Sequence, residues 1–151
     1  MNRHRICSSR TPRRILLIIF LATVIPTILV YLEHGIAEEK AYNKSIEKGD
    51  EYKATKQGGE AALFFSIAIG YAIGTAFIII KPQWRIPYVV LIVGTIAIVI
   101  LYYFRIYGIP VPFTDVIIRD ISTDWRDVVT KIAQQIIVIP LVLMYKSVSK
   151  P

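Results

Sequence analysis

The chain has 151 residues, is 54% hydrophobic with a mean hydropathy of +0.52, and carries a formal net charge of +7. Its single cysteine, Cys7, excludes an internal disulfide, a thiol pair and any thiolate-rich metal cluster. A charge of +7 would suit a nucleic-acid partner, but its distribution excludes that and points to a bilayer.

Four long apolar stretches divide the chain, at about 15–32, 61–80, 86–104 and 128–145. At about 1.5 Å per helical residue, each covers roughly 27 to 30 Å, the thickness of a hydrocarbon core. The charges alternate across them. Residues 1–14, the turn 81–85 and the tail after Tyr145 hold nine basic residues and no acid, whereas all eleven acids lie in 33–60 and 105–131. Lys and Arg concentrate on the cytoplasmic side, so the sequence predicts an all-α protein of the cell membrane with four transmembrane helices. Both termini are expected in the cytoplasm and the two long loops, 33–60 and 105–127, outside. Anionic lipid headgroups are the expected partner of the basic end, at about 1 kcal/mol per nearby Lys or Arg.

In the first span Pro26 predicts a mild kink, Thr23 and Thr27 are its aliphatic hydroxyls, and no polar path is expected along it. The small-x-small triplet Gly35-Ile36-Ala37 resembles a signal-cleavage site, but the apolar run is longer than a signal core, so the span is expected to stay attached. Loop 33–60 is rich in Glu and Lys. Its first half is expected to extend the helix outward, its second half to be solvated loop, with Gly58-Gly59 as the stop before span 2. Asn43-Lys44-Ser45 is a glycosylation sequon on the outer side, expected to be unoccupied.

The second span carries Ala62, Ser66, Gly70 and Gly74 at every fourth position, with Ala68, Ala72 and Ala76 as a second row. In lipid, helices associate through close backbone approach rather than hydrophobic drive, so Ser66, Gly70 and Gly74 are candidate helix-packing residues, within this chain or against another. The turn Lys81-Pro82-Gln83-Trp84-Arg85 is short enough to make spans 2 and 3 antiparallel neighbours. Trp84 and Tyr88 are expected at the inner headgroup level, Tyr102, Tyr103, Phe104 and Tyr107 at the outer one. Gly94 and Ala97 mark the face of span 3 that meets span 2.

After span 3, Gly108 to Pro112 should be extended, and Val116-Ile117-Ile118 strand-like or in shallow contact with the membrane. Ile121, Trp125, Val128, Val129 and Ile132 then fall at helical spacing, with Asp120, Asp124, Asp127 and Lys131 on another face. This amphipathic start, capped by Asp120, Ser122 or Thr123, should lie at the outer interface and lead into span 4, with Asp120, Asp124, Trp125 and Asp127 as an external docking surface. The carboxylates are read as a solvated face complementing the helix dipole, because Arg119 and Arg126 between them would repel a divalent cation.

No catalytic constellation is predicted. The first three spans carry no charged residue, which argues against a proton relay or a charge-coupled exporter. His4 and His34 are badly placed for haem or copper, and no cofactor or metal is expected. Gln134 and Gln135 in span 4 are candidates for interhelical hydrogen bonds, at about 0.6 to 2 kcal/mol.

Over Gly108–Gln135, the runs Gly-Ile-Pro-Val-Pro-Phe-Thr-Asp and Ile-Ser-Thr-Asp-Trp-Arg-Asp-Val-Val resemble small accessory membrane subunits associated with archaeal ammonia monooxygenase. The resemblance covers under a fifth of the chain and implies a non-catalytic subunit beside a copper enzyme whose metal ligands lie on other chains. It agrees with the residue-level expectation of an accessory or assembly subunit packed against other integral membrane subunits. The competing expectation is a homo-oligomeric channel or facilitator for a small neutral solute.

Overall fold

The computed structural model describes residues 10–105, 109–110, 117–118 and 125–148. Four helices account for almost all of them: α1 (Arg10–Glu47), α2 (Glu51–Ile80), α3 (Ile86–Arg105) and α4 (Trp125–Val148). Between α3 and α4 a minimal antiparallel ladder, β1 (Ile109–Pro110) and β2 (Ile117–Ile118), pairs Ile109 with Ile118 and Pro110 with Ile117. The architecture is thus helical. Three helices, α1, α2 and α4, are long and apolar enough to cross a membrane, and the apolar part of α3 runs from Ile86 to Tyr102.

Large apolar side chains point outward from all four helices, with Ile18 65%, Ile80 72%, Val93 59% and Ile139 61% exposed. An apolar exterior of this extent would drive aggregation in water and suits a lipid solvent. The interior is one cluster, built from Phe20 and Val24 of α1, Ala68, Tyr71 and Ile78 of α2, Tyr88 and Leu91 of α3, and Ile137, Leu141 and Met144 of α4. Helix α1 lies against α2 and α4, and α3 completes the bundle against α4 and α2.

The connection 33–60 departs from expectation. Its first half does continue α1, but its second half is helix rather than loop, and the connector shrinks to Lys48, Gly49 and Asp50. Gly49 adopts φ +72°, which only glycine takes without strain. Its N–H bonds to the Ile46 carbonyl and that of Asp50 to the Ser45 carbonyl, both at 3.0 Å, the pairing that ends a helix on a left-handed residue. Asp50 at once starts α2, its carboxylate accepting the Lys53 N–H at 3.1 Å. Gly58 is no stop: it lies inside α2, where a Cβ would stand 3.2 Å from the Tyr42 ring. Gly35, in the middle of α1, similarly faces Phe65, with 2.9 Å between a hypothetical Cβ and the ring. Missing side chains at these two positions let aromatic rings close the α1–α2 hairpin, and Ser45 Oγ to Gln57 Oε1 at 2.7 Å pins it. The Gly35-Ile36-Ala37 triplet is therefore helical and packed.

The Lys53 hydrogen bond and ion pair, 3.0 Å from Asp50 Oδ2, hold the Asp50 carboxyl below the ordinary carboxylate value of 3.8. A depressed folded-state pKa contributes stability above that value and loses it as pH falls through the lower, folded one. Acidification across that window is expected to lower the protection factors of the Lys53 and Ala54 amides, each rate being referred to the intrinsic rate at its pH, and Asp50→Ala should show the low protection already at neutral pH with no further loss on acidification. An unchanged acid response in the variant would assign it to another group.

Both α1 and α4 carry an internal proline, Pro26 and Pro140. Thr23 Oγ1 donates to the carbonyls of Ile19 and Phe20, and Thr27 Oγ1 to that of Thr23, at 2.9 to 3.0 Å, so these two hydroxyls are absorbed by the backbone of α1 around Pro26.

Candidate functional site

Turn 81–85 makes α2 and α3 antiparallel neighbours, but their contact is uneven. At Gly74 they meet closely: a Cβ there would stand 2.6 Å from Leu91 Cδ2 and 2.7 Å from Leu91 Cγ. Beyond this point the helices leave a groove of about 320 Å³ between them. Its walls carry the small residues Ser66 and Gly70 of α2 and Gly94 and Ala97 of α3. A Cβ at Gly70 or at Gly94 would meet nothing within 4 Å. Ser66 is exposed and its hydroxyl folds back onto the Ala62 carbonyl at 2.7 Å. Of the three small residues singled out on α2, the fold therefore places Gly74 in a close internal contact and leaves Ser66 and Gly70 open. Tyr71 and Thr95 close the floor of the groove through a 2.9 Å hydroxyl pair, and Thr95 also donates to the Leu91 carbonyl at 2.6 Å.

Gln134 and Gln135 separate in the same way. Gln134 is fully buried, and its Nε2 donates to the Tyr31 hydroxyl at 2.7 Å. Lys131 Nζ donates to that hydroxyl at 2.8 Å and to Gln134 Oε1 at 3.2 Å. The same ammonium lies 5.3 Å from the Tyr31 ring centre and 4.8 Å from that of Tyr102, tying α4 to both α1 and α3. Gln134 also lies near the Tyr71 hydroxyl of α2. One buried polar cluster thus engages all four helices. Gln135, one residue on and on the adjoining face, is exposed.

Sequence reasoning missed Tyr31 as the hub. The available signal was its spacing of four from Thr27, which places both on one helical face, and both are buried. Tyr88, expected at the inner headgroup level, is fully buried near the turn of α2 and α3, a burial that sequence reasoning did not foresee. Its hydroxyl donates to the Pro82 carbonyl at 3.1 Å, and Arg13 of α1 donates to both Pro82 O and, at 3.3 Å, Tyr88 Oη. Trp84 is half exposed, stacked on Phe77 at 6.3 Å under the Lys81 ammonium. The start of α1, the turn 81–85 and the end of α4 consequently gather at one end of the bundle. These are the segments that carry basic residues and no acid.

Asp120 and Asp124 lie outside the described residues. Trp125 and Asp127 are in the first turn of α4, with side chains outside the description. Among the described residues no three His, Cys, Asp or Glu side chains come together as a metal site would require. Set against known proteins, the chain matches no family model, no curated protein and no solved structure.

Proposed function

We propose that the protein is a non-catalytic accessory or assembly subunit of a larger membrane complex, with four spans, α1 to α4, in the cell membrane and both termini in the cytoplasm. The observation that carries this reading is the groove between α2 and α3. Ser66, Gly70, Gly94 and Ala97 line a seam open to close backbone approach, and among the described residues none fills it. A helix of a neighbouring subunit is the occupant such a surface suits, since van der Waals packing on small residues is what joins helices in lipid. Trp125 and the aspartates 120, 124 and 127 provide the second docking surface, outside the membrane. The resemblance of Gly108–Gln135 points to a membrane-bound monooxygenase as the complex, with catalytic metal on other chains. Anionic lipid headgroups face the basic end.

The test is purification in mild detergent followed by identification of the chains that co-migrate. Stoichiometric larger membrane subunits are expected, and a chain that runs alone as an active oligomer would overturn the proposal. For sidedness, impermeant thiol reagents on sealed cells should label cysteines placed at residues 50 and 120 and leave Cys7 unlabelled. Reaction of Cys7 would invert the topology.

The polar cluster of Tyr31, Tyr71, Thr95, Lys131 and Gln134 favours a second reading, a homo-oligomeric facilitator for a small neutral solute, because its groups come from all four helices. These side chains are packed against one another rather than around an open path, which places this reading behind the first. Solute flux into vesicles holding only this protein would reverse the order.

A further inference from the structure

At the basic end, a crevice of about 250 Å³ opens between α1, α4 and the turn that joins α2 to α3. Arg13 and Arg14 stand at its mouth. Leu17, one helical turn after Arg13 along α1, lines it together with Ile78, Ile79, Pro82 and Met144 as its apolar wall. Arg13 is committed to the turn through Pro82 O and Tyr88 Oη. Arg14 is exposed and its guanidinium donates to no group among the described residues. The crevice is therefore amphipathic in one direction: cationic donors at the rim and hydrocarbon below.

The geometry points to a bound anionic phospholipid, its phosphate held by Arg14 with Arg13 beside it and one acyl chain lying along Leu17, Ile78 and Met144. Arginine suits this use because its planar fork can give two parallel N–H bonds to phosphate oxygens. A free anion would leave the apolar wall unused, whereas a zwitterionic lipid would bring a second cation against the arginines. Three segments with basic residues and no acid meet at this end, so the field reinforces the choice. The site rests on the membrane reading above but stands whether or not the chain has protein partners.

The experiment is retention of lipid by the full chain through detergent exchange, read by native mass spectrometry after reconstitution in mixed phosphatidylglycerol and phosphatidylcholine bilayers. Phosphatidylglycerol is expected to be retained in preference. Arg14→Gln should lower that retention about fivefold, the factor that corresponds to about 1 kcal/mol per surface arginine, and Arg14→Lys, which keeps the charge but not the fork, should fall between wild type and Arg14→Gln. Lys146→Gln removes the same charge from the same end outside the crevice and should leave retention unchanged. An equal loss in Lys146→Gln would reduce the effect to diffuse charge and overturn the site. Equal retention of both lipids would do the same, as would displacement by inorganic phosphate beyond that produced by chloride at matched ionic strength. A wild-type chain that fails to fractionate with membranes would instead defeat the membrane reading. Thermal unfolding of Arg14→Gln at the wild-type midpoint shows that its loss is local.

Discussion

Gly74→Leu is expected to destabilise the fold, whereas Gly70→Leu, one helical turn away, leaves the chain folded and strips it of its partners. At Gly74 the new Cβ would fall 2.6 Å from Leu91 Cδ2 and 2.7 Å from Leu91 Cγ. Turning Leu91 about χ2 moves its methyl groups but leaves Cγ at 2.7 Å, and Leu91 is 5% exposed, so the contact is relieved only by repacking Leu91 about χ1 or by parting the helices. Overpacking of this kind costs about 1 to 3 kcal/mol. The expected readouts are a lower unfolding midpoint in mixed detergent micelles and reduced abundance in cells. At Gly70 a Cβ meets nothing within 4 Å, so leucine fills the groove rather than distorting the bundle. Abundance and midpoint should hold while co-purifying subunits disappear. Loss of abundance in Gly70→Leu would show the groove to be needed for folding, and retention of partners in that variant would remove the main support for the accessory-subunit proposal.

A second large effect is expected at Gln134. Changing it to leucine removes the 2.7 Å bond to Tyr31 and the 3.2 Å bond from Lys131, leaving the Tyr31 hydroxyl and the Lys131 ammonium only their mutual 2.8 Å bond within this cluster. A hydrogen bond contributes about 0.5 to 1.5 kcal/mol, and polar contacts between membrane helices average about 0.6, so loss of the two bonds is expected to cost about 1 to 2 kcal/mol. Gln135→Leu, on the exposed face, should change the midpoint little. Tyr31→Phe combined with Gln134→Leu should cost less than the two single changes added together, because they break the same bond. Additive losses would mean that the cluster is a set of independent contacts.

The apolar segments, the charge split and the short turn 81–85 were legible because each depends on local sequence: hydropathy over a helix length, counts of Lys and Arg, and prolines in a tight turn. The α1–α2 hairpin was not. Gly58-Gly59 has the composition of a break, and only the presence of Tyr42 opposite Gly58, sixteen residues away along the chain, explains why the helix continues through it. The candidate packing residues were legible as a stripe, yet which member touches what was not, since Gly70 and Gly74 have identical spacing signals and differ only in whether α3 is near. Tyr88 shows the same limit. An aromatic beside a basic turn resembles an interface anchor, and its burial depends on Arg13, 75 residues earlier in the chain, reaching its hydroxyl.

The three-residue connection between α1 and α2 has a consequence for how the molecule meets its surroundings. On the proposed placement of Ile15–Leu32 in the hydrocarbon, residues 33–47 continue as one unbroken helix for roughly 22 Å, braced along its length by the start of α2. Part of that crosses the headgroups, and the rest lifts Gly49 about two Debye lengths beyond them at physiological salt. Ions in the intervening solution mask the bilayer's own charge at that height. The acids and lysines at the tip would therefore present the same field to an approaching molecule in a neutral or an anionic membrane. Those near its foot, at Glu33 and Glu38, would respond to every change in lipid composition. A single rigid rod would thus combine a membrane-blind end with a membrane-sensitive one.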